Sequence, residues 1–187
     1  MAITFVDEIV ADIEWRVSEL ATLKSLPIRY SFRDDHKELQ IKYTIPAIYA
    51  IWEGFVKNCF SIYSNHLNSL AISRTDIALS LLTHQLDSEC DFNNPRINFD
   101  AKKRLVNVID SLLTNTINIK PSIPTESNVN FKVLNKILER FCIDKVDETY
   151  EQKLNKLLLF RNKIAHGENS ISVNMNNITE LFRLLKI

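Results

Sequence analysis

Apolar residues in this chain recur at helical rather than strand spacing almost from end to end. From Ile3 to about Leu23, the residues Val6, Ile9, Val10, Ile13, Val17 and Leu20 form one stripe with acidic residues in the gaps. That pattern predicts an amphipathic helix. Ser25 to Arg33, with Pro27, reads as a connector. A second, longer pattern runs from about Asp34 to Leu70, with Ile45, Ile48, Tyr49, Trp52, Phe55, Val56, Cys59, Phe60, Tyr63 and Leu67 on its core side. Pro46 falls inside it and predicts a kink or a fresh start, because proline lacks an N–H and clashes with the preceding turn. Shorter helices are expected over Thr75–Leu86, from a cap at Asp100 to Leu113, and over Asn130–Phe141 with a cap among Ser127, Asn128 and Asn130. Asp147 or Thr149 opens a helix that ends at His166, and Asn176 or Asn177 caps a last one to Ile187. Asp87–Asn98 and Thr114–Thr125 read as loops, and the Asn-rich link Glu168–Asn177 has room for a strand-like piece. The sum is an all-α helical bundle with one long kinked helix, in a single domain over residues 1–187.

The helix ending at His166 carries the candidate chemistry. Leu154, Leu157, Leu158, Ile164 and Ala165 form its apolar stripe, and Leu159 and Phe160 widen it. Gly167 follows directly, and glycine accepts the positive φ at which helices commonly stop. Arg161, Asn162 and His166 are thereby gathered into the final turn and a half. Arginine grips a phosphate through two parallel hydrogen bonds, and histidine exchanges a proton near neutral pH. These are the minimal parts for cutting RNA without a metal. Asn162 and His166 share a face, whereas Arg161 and His166 stand about 140° apart on an ideal helix. A tightened last turn or a second copy of the helix would bring them together. Arg161 also falls inside the apolar stripe, where a charge must be paired or must line a cleft. An apolar cover nearly all round the helix points to a partner subunit. The plainer alternative is a helix-ending histidine beside a surface salt bridge.

Composition narrows the classes. The net charge is zero, which argues against a general nucleic-acid coat but leaves room for a local basic site. Two glycines and five prolines are too few for a turn-rich β fold. Cys59, Cys90 and Cys142 are an odd number without a C-x-x-C pair, which suits free thiols in a reducing cytoplasm. No cysteine–histidine cluster has metal spacing. The acidic residues Asp7, Glu8, Asp12 and Glu14 exclude a signal peptide, and no apolar run is long enough for a membrane span.

The string Arg161-Asn162-Lys163-Ile164-Ala165-His166-Gly167-Glu168 resembles the R-x4-6-H signature of the HEPN superfamily of small helical nuclease domains, with Asn162 as the polar residue after the arginine. Ile48 to Lys57, containing Tyr49, Trp52, Glu53 and Gly54, is similar to a stretch of the MAE group of HEPN-like nucleases. Thr125-Glu126-Ser127-Asn128-Val129 resembles the loop before a later helix of that group. Together the blocks carry the resemblance from about Asp34 onward. It implies a dimeric all-α fold and a metal-independent endoribonuclease, often the toxin of a toxin–antitoxin or phage-defence system. The two R-x4-6-H motifs then meet across the dimer. One subgroup is controlled by an antitoxin that modifies a tyrosine two residues after the histidine. Glu168 stands there in this chain, which departs from that subgroup.

The implied reaction uses the RNA 2′-hydroxyl as nucleophile, with no cofactor. His166 serves as general acid or base and Arg161 stabilises the phosphorane. Asn162 orients His166 or a phosphate oxygen. Lys153, Lys156 and Lys163 are candidate phosphate contacts or simply a solvated face. Glu53 either holds Arg161 or His166 in place or only pairs with Lys57 four residues on. Trp52 reads as core, and Gly54 as a point of close helix packing. His36, His66 and His84 have no partners at recognisable spacing and read as structural or surface residues. Lys102, Lys103 and Arg104 read as a solvated basic run. The rival reading is a catalytically silent module of the same fold that binds RNA or a protein.

Overall fold

A computed structural model describes residues 3–73, 76–90, 98–114, 116–125, 128–168 and 171–185; the side chains at 112–114 and 184–185 are not among them. Among the described residues the chain forms seven α-helices: α1 (Phe5–Arg29), α2 (Asp34–Ser69), α3 (Leu79–Glu89), α4 (Phe99–Thr114), α5 (Phe131–Arg140), α6 (Glu151–Ala165) and α7 (Met175–Leu185). A 3-10 turn, Glu148–Tyr150, leads into α6. There is no strand among the described residues, and 171–174 are irregular. The all-α expectation holds, while the strand-like piece does not form there.

Several boundaries differ from the sequence reading. α1 does not stop near Leu23 but continues through Pro27 to Arg29. Pro27 is buried in the last turn, where one lost donor affects only the carbonyl four residues back. At its start Thr4 and Asp7 satisfy each other's backbone N–H in a capping box, and that bonding holds the Asp7 carboxyl below its usual range. α2 passes through Pro46 as one continuous helix of 36 residues rather than starting afresh there. Asn98 caps α4 by accepting from the Ala101 N–H at 2.9 Å, so Asp100 sits inside the first turn. Asn174 caps α7 through bonds from Asn176 and Asn177, the two residues that themselves looked like caps. Asn130 is the cap of α5, accepting from Val133 at 2.9 Å; Ser127, the other side chain weighed there, lies outside the described residues, as does Thr75, the expected start of α3.

Contacts gather the chain into two compact units. The first comprises Met1–Cys59, Thr125–Leu134 and Val146–Ile187; the second comprises Phe60–Pro124 and Asn135–Lys145. In the first, Ile45, Ile48, Trp52, Val129, Leu157, Ile178 and Leu181 are buried. In the second, Phe60, Ile119, Ile137 and Phe141 are buried, and Asn68 holds Ile119 by bonds to both its N–H and its carbonyl.

The α1 stripe fares differently from the α2 stripe. Leu20 is buried, but Val6, Val10, Ile13 and Val17 stay exposed at 36–51%. What anchors α1 is polar. Asp12, 7% exposed, accepts from Arg16 Nε at 2.7 Å and Nη2 at 3.1 Å, from Trp15 Nε1 at 3.1 Å and from Asn58 Nδ2 at 2.9 Å. Arg16 Nη1 then donates to the Ile51 carbonyl of α2 at 3.0 Å. Gly54 makes room for this contact, since a Cβ there would stand 2.9 Å from Arg16 Nη1.

Candidate active site

The site is built on a short stretch of backbone before α5. Tyr49 and Trp52 lie one turn apart on α2, and both reach Val129. The Tyr49 hydroxyl accepts from the Val129 N–H at 2.9 Å, and Trp52 Nε1 donates to the Val129 carbonyl at 3.3 Å. Val129 is 1% exposed, so its N–H and carbonyl need such partners. Burial pushes the Tyr49 phenol above its ordinary value, partly opposed by the bond from Val129, and the ring stays neutral.

Fixing Val129 fixes Asn128. The Asn128 Oδ1 accepts from Arg161 Nη1 at 3.0 Å, and Asn162 Oδ1 accepts from the same nitrogen at 2.8 Å. The guanidinium lies over the Tyr49 ring, 4.8 Å from its centroid, which attracts a cation by about 0.5–2 kcal/mol. Arg161 is half-buried, as its place inside the apolar stripe requires. Among the described residues no carboxylate pairs with it, and Nε and Nη2 bond no acceptor. The result is an oriented cation whose full charge faces whatever enters beside it.

His166 caps the C-terminus of α6 with an exposed side chain. The turn beyond it is complete. Gly167 has φ +73°, its N–H donates to the Ile164 carbonyl at 3.1 Å, and the Glu168 N–H donates to the Lys163 carbonyl at 2.9 Å. This doubly bonded stop places the imidazole at the mouth of the helix rather than in the core. Among the described residues its ring has no hydrogen bond to Arg161 or Asn162.

The two sequence blocks thus meet at Val129, and the arginine of the third rests on both. The family model described as HEPN_MAE_28990-like HEPN matches residues 5–185. The chain belongs to this HEPN family. Neither a curated protein nor a solved structure matches it. The family match takes in α1, which lies outside the blocks that carried the resemblance from about Asp34 onward.

In this HEPN chain the remaining candidates separate. Glu53 bonds Lys57 Nζ at 2.9 Å, and reaches neither Arg161 nor His166 with a hydrogen bond. Lys163 stands 3.8 Å from Glu168, and Lys156 bonds Glu180 at 2.8 Å. Asn162 turns its carbonyl oxygen to Arg161 instead of His166. Of the α6 stripe, Leu154, Leu157 and Ile164 are buried, whereas Leu159 is 51% exposed. Two positioning residues were given no role at the site by the sequence reading: Asn128, a possible cap within the Thr125–Val129 block, and Tyr49, a core position within the Ile48–Lys57 block. Their signal was present in the spacing of Tyr49 and Trp52 on one face, each with a polar tip that a buried aromatic must satisfy. No group of three His, Cys, Asp or Glu side chains among the described residues is placed to hold a metal ion, and no helix among them is long and apolar enough to cross a membrane.

Proposed function

We propose that this HEPN chain is a metal-independent endoribonuclease working as a single domain, and that it is the toxin of a toxin–antitoxin or phage-defence system in the cytoplasm. The observation that carries the reading is the Arg161 guanidinium, oriented among the described residues by neutral groups of Asn128, Asn162 and Tyr49. A cation so held supplies its charge to a phosphate instead of to a protein carboxylate. In the reaction the RNA 2′-oxygen attacks the adjacent phosphorus as the bond to the 5′-oxygen breaks. The products are a 2′,3′-cyclic phosphate and a 5′-hydroxyl. His166 takes the 2′-proton or gives one to the leaving 5′-oxygen, a contribution of about 10²–10⁴-fold. DNA lacks the nucleophile and is not a substrate. Lys163 adds a phosphate contact at the rim.

A homodimer built partly on α6 completes the site, bringing His166 of one copy toward Arg161 of the other; the exposed Leu159 on α6 supports it. An antitoxin protein would then act by covering the site. The second reading, a catalytically silent module, is favoured by the lack of any hydrogen bond linking His166 to Arg161 within one chain. Purified wild type and His166→Ala on total RNA, with EDTA present, separate the two. The nuclease reading expects 2′,3′-cyclic ends from wild type and none from the variant, with circular dichroism unchanged. Equal cleavage by both proteins, or 5′-phosphate ends, would overturn it.

A further inference from the structure

In the first unit an apolar seam between α1 and α2 is left open. Asp12 bonds Asn58 and Arg16 bonds the Ile51 carbonyl, so the two helices run antiparallel along it. Ile13, Val17 and Leu20 of α1 and Ile51, Trp52 and Phe55 of α2 enclose a hollow of about 90 Å3 there. Leu20, Ile51 and Trp52 are buried and form its floor, while Ile13 is 36% and Val17 39% exposed at its rim. Val6 and Val10, 51% and 46% exposed, carry the apolar surface on toward the start of α1. From Val6 to Val17 the strip is about 17 Å long, or three helical turns. Exposed apolar residues scattered singly need no explanation, but a continuous strip beside a hollow marks an interaction surface.

A strip of that length on the seam of two antiparallel helices suits a third helix, whose side chains interlock with both and whose largest one enters the hollow. Charge decides which helix. α1 has no Lys or Arg before Arg16. Asp7 and Glu14 stand within about 60° of Val10 on an ideal helix, both on the same side of it, so they line one edge of the strip. Both are exposed. Asp7 stays ionised while it caps Thr4, since that bonding lowers its pKa. Glu8 and Glu19 fall on the opposite side of the helix and take no part. The next cations along α1 are engaged: Arg16 with Asp12, and Lys24 over the Phe182 ring at 5.7 Å, where the strip ends. The edge is therefore negative. A second α1 laid antiparallel across this strip would set Asp7 beside Glu14 of the other copy, and like charges so placed oppose the pairing. Lys or Arg on an incoming helix would meet both carboxylates instead.

We propose that this seam docks a basic amphipathic helix of a different protein, with one bulky apolar side chain in the hollow and Lys or Arg facing Asp7 and Glu14. The apolar anchor supplies most of the affinity, because the hollow takes it out of water on several sides, and the exposed ion pairs chiefly select the sign of the partner. The site lies on α1 and α2 and uses neither Arg161 nor His166, so it stands independently of the nuclease reading. It is also separate from α6, on which the homodimer is proposed.

Fluorescence anisotropy of a labelled synthetic helix against the full chain tests this. The probe is about 18 residues long, or five turns, with Leu at the a and d heptad positions, Lys at e and g, and Ala elsewhere; a second probe carries Glu in place of every Lys. The Lys peptide is expected to saturate one site per chain and to bind about tenfold more tightly than the Glu peptide. Val10→Lys and Val17→Lys should each weaken it by about tenfold, with circular dichroism unchanged. Glu14→Lys should weaken the Lys peptide by about fivefold, the scale of one exposed pair, and strengthen the Glu peptide. Val106→Lys, at an exposed apolar residue of α4 in the second unit, should leave binding as it is. The proposal is overturned by no binding of the Lys peptide at about 100 μM, which detects even weak micromolar affinity; by equal affinity for the two peptides; by undiminished affinity in the Val10 and Val17 variants; by loss of binding in Val106→Lys; or by a homodimer that Val10→Lys dissociates in analytical ultracentrifugation, which would put a second copy on the seam.

Discussion

Two arginines in the first unit, Arg16 and Arg161, are held in opposite ways. Arg16 meets a buried carboxylate through two of its nitrogens and a helix carbonyl through the third, and its charge is cancelled where it stands. Among the described residues Arg161 meets only amide oxygens and a phenol ring. The first arrangement spends all of a guanidinium's bonding on joining α1 to α2. The second fixes direction and leaves the charge uncompensated. Counting hydrogen bonds gives three for Arg16 against two for Arg161, a small difference; following the formal charges separates a strut from a candidate ligand-binding group.

That contrast predicts effects of different kind and size. Arg16→Ala leaves the Asp12 carboxylate buried with only neutral donors, and should cost about 3–5 kcal/mol in urea unfolding, while cleavage per folded molecule is unchanged. A loss below about 1 kcal/mol, the scale of an exposed pair, would break the strut side of the comparison. Arg161→Ala should do the reverse. Removing an oriented donor to the transition state lowers cleavage by about 10²–10³, with stability down by only about 1–2 kcal/mol from the lost stacking and amide bonds. Normal cleavage by this variant would break the other side. Tyr49→Phe removes the acceptor of the buried Val129 N–H and should cost about 1–3 kcal/mol by thermal unfolding; a neutral result would mean that Val129 does not depend on it. Lys57→Ala removes the partner of a Glu53 side chain that is only 20% exposed and should cost no more than about 1 kcal/mol, with cleavage intact. A tenfold fall in cleavage would instead give Glu53 a part in the site.

Periodicity revealed the helices because each needs only its own residues to be amphipathic. α2 was legible down to which side is buried, and Gly167 marked the end of α6 because positive φ is a local demand. The caps were less legible. Asn98 and Asp100, or Asn174 and its two following asparagines, offer the same side-chain oxygen within one turn, and only the geometry of the chain's entry chooses between them. The α1 stripe shows a deeper limit. A row of Val and Ile says that a face is apolar, not that the same chain covers it, and Val6, Val10, Ile13 and Val17 remain outside. At the candidate site the sequence held the arginine, asparagine and histidine, since they lie within six positions. Tyr49 and Asn128 are 112 and 33 positions from Arg161, and only the fold brings them to it.

Handedness offers a last consequence of how α6 ends. α5 stops by the same double bond pattern, with the Cys142 N–H on the Glu139 carbonyl and the Ile143 N–H on that of Leu138, yet Cys142 takes φ +56° with an L side chain. At Gly167 the corresponding backbone carries no side chain, and an added Cβ would meet nothing within 4 Å. The turn that follows His166 is therefore a mirror-image conformation, with open space where an L side chain would begin. A D-alanine installed at position 167 by chemical ligation would have this positive φ as its ordinary one. By narrowing the unfolded ensemble alone it should stabilise the chain by about 0.4–1 kcal/mol, where L-alanine would destabilise it. The chirality of one atom would thereby set how firmly His166 is presented.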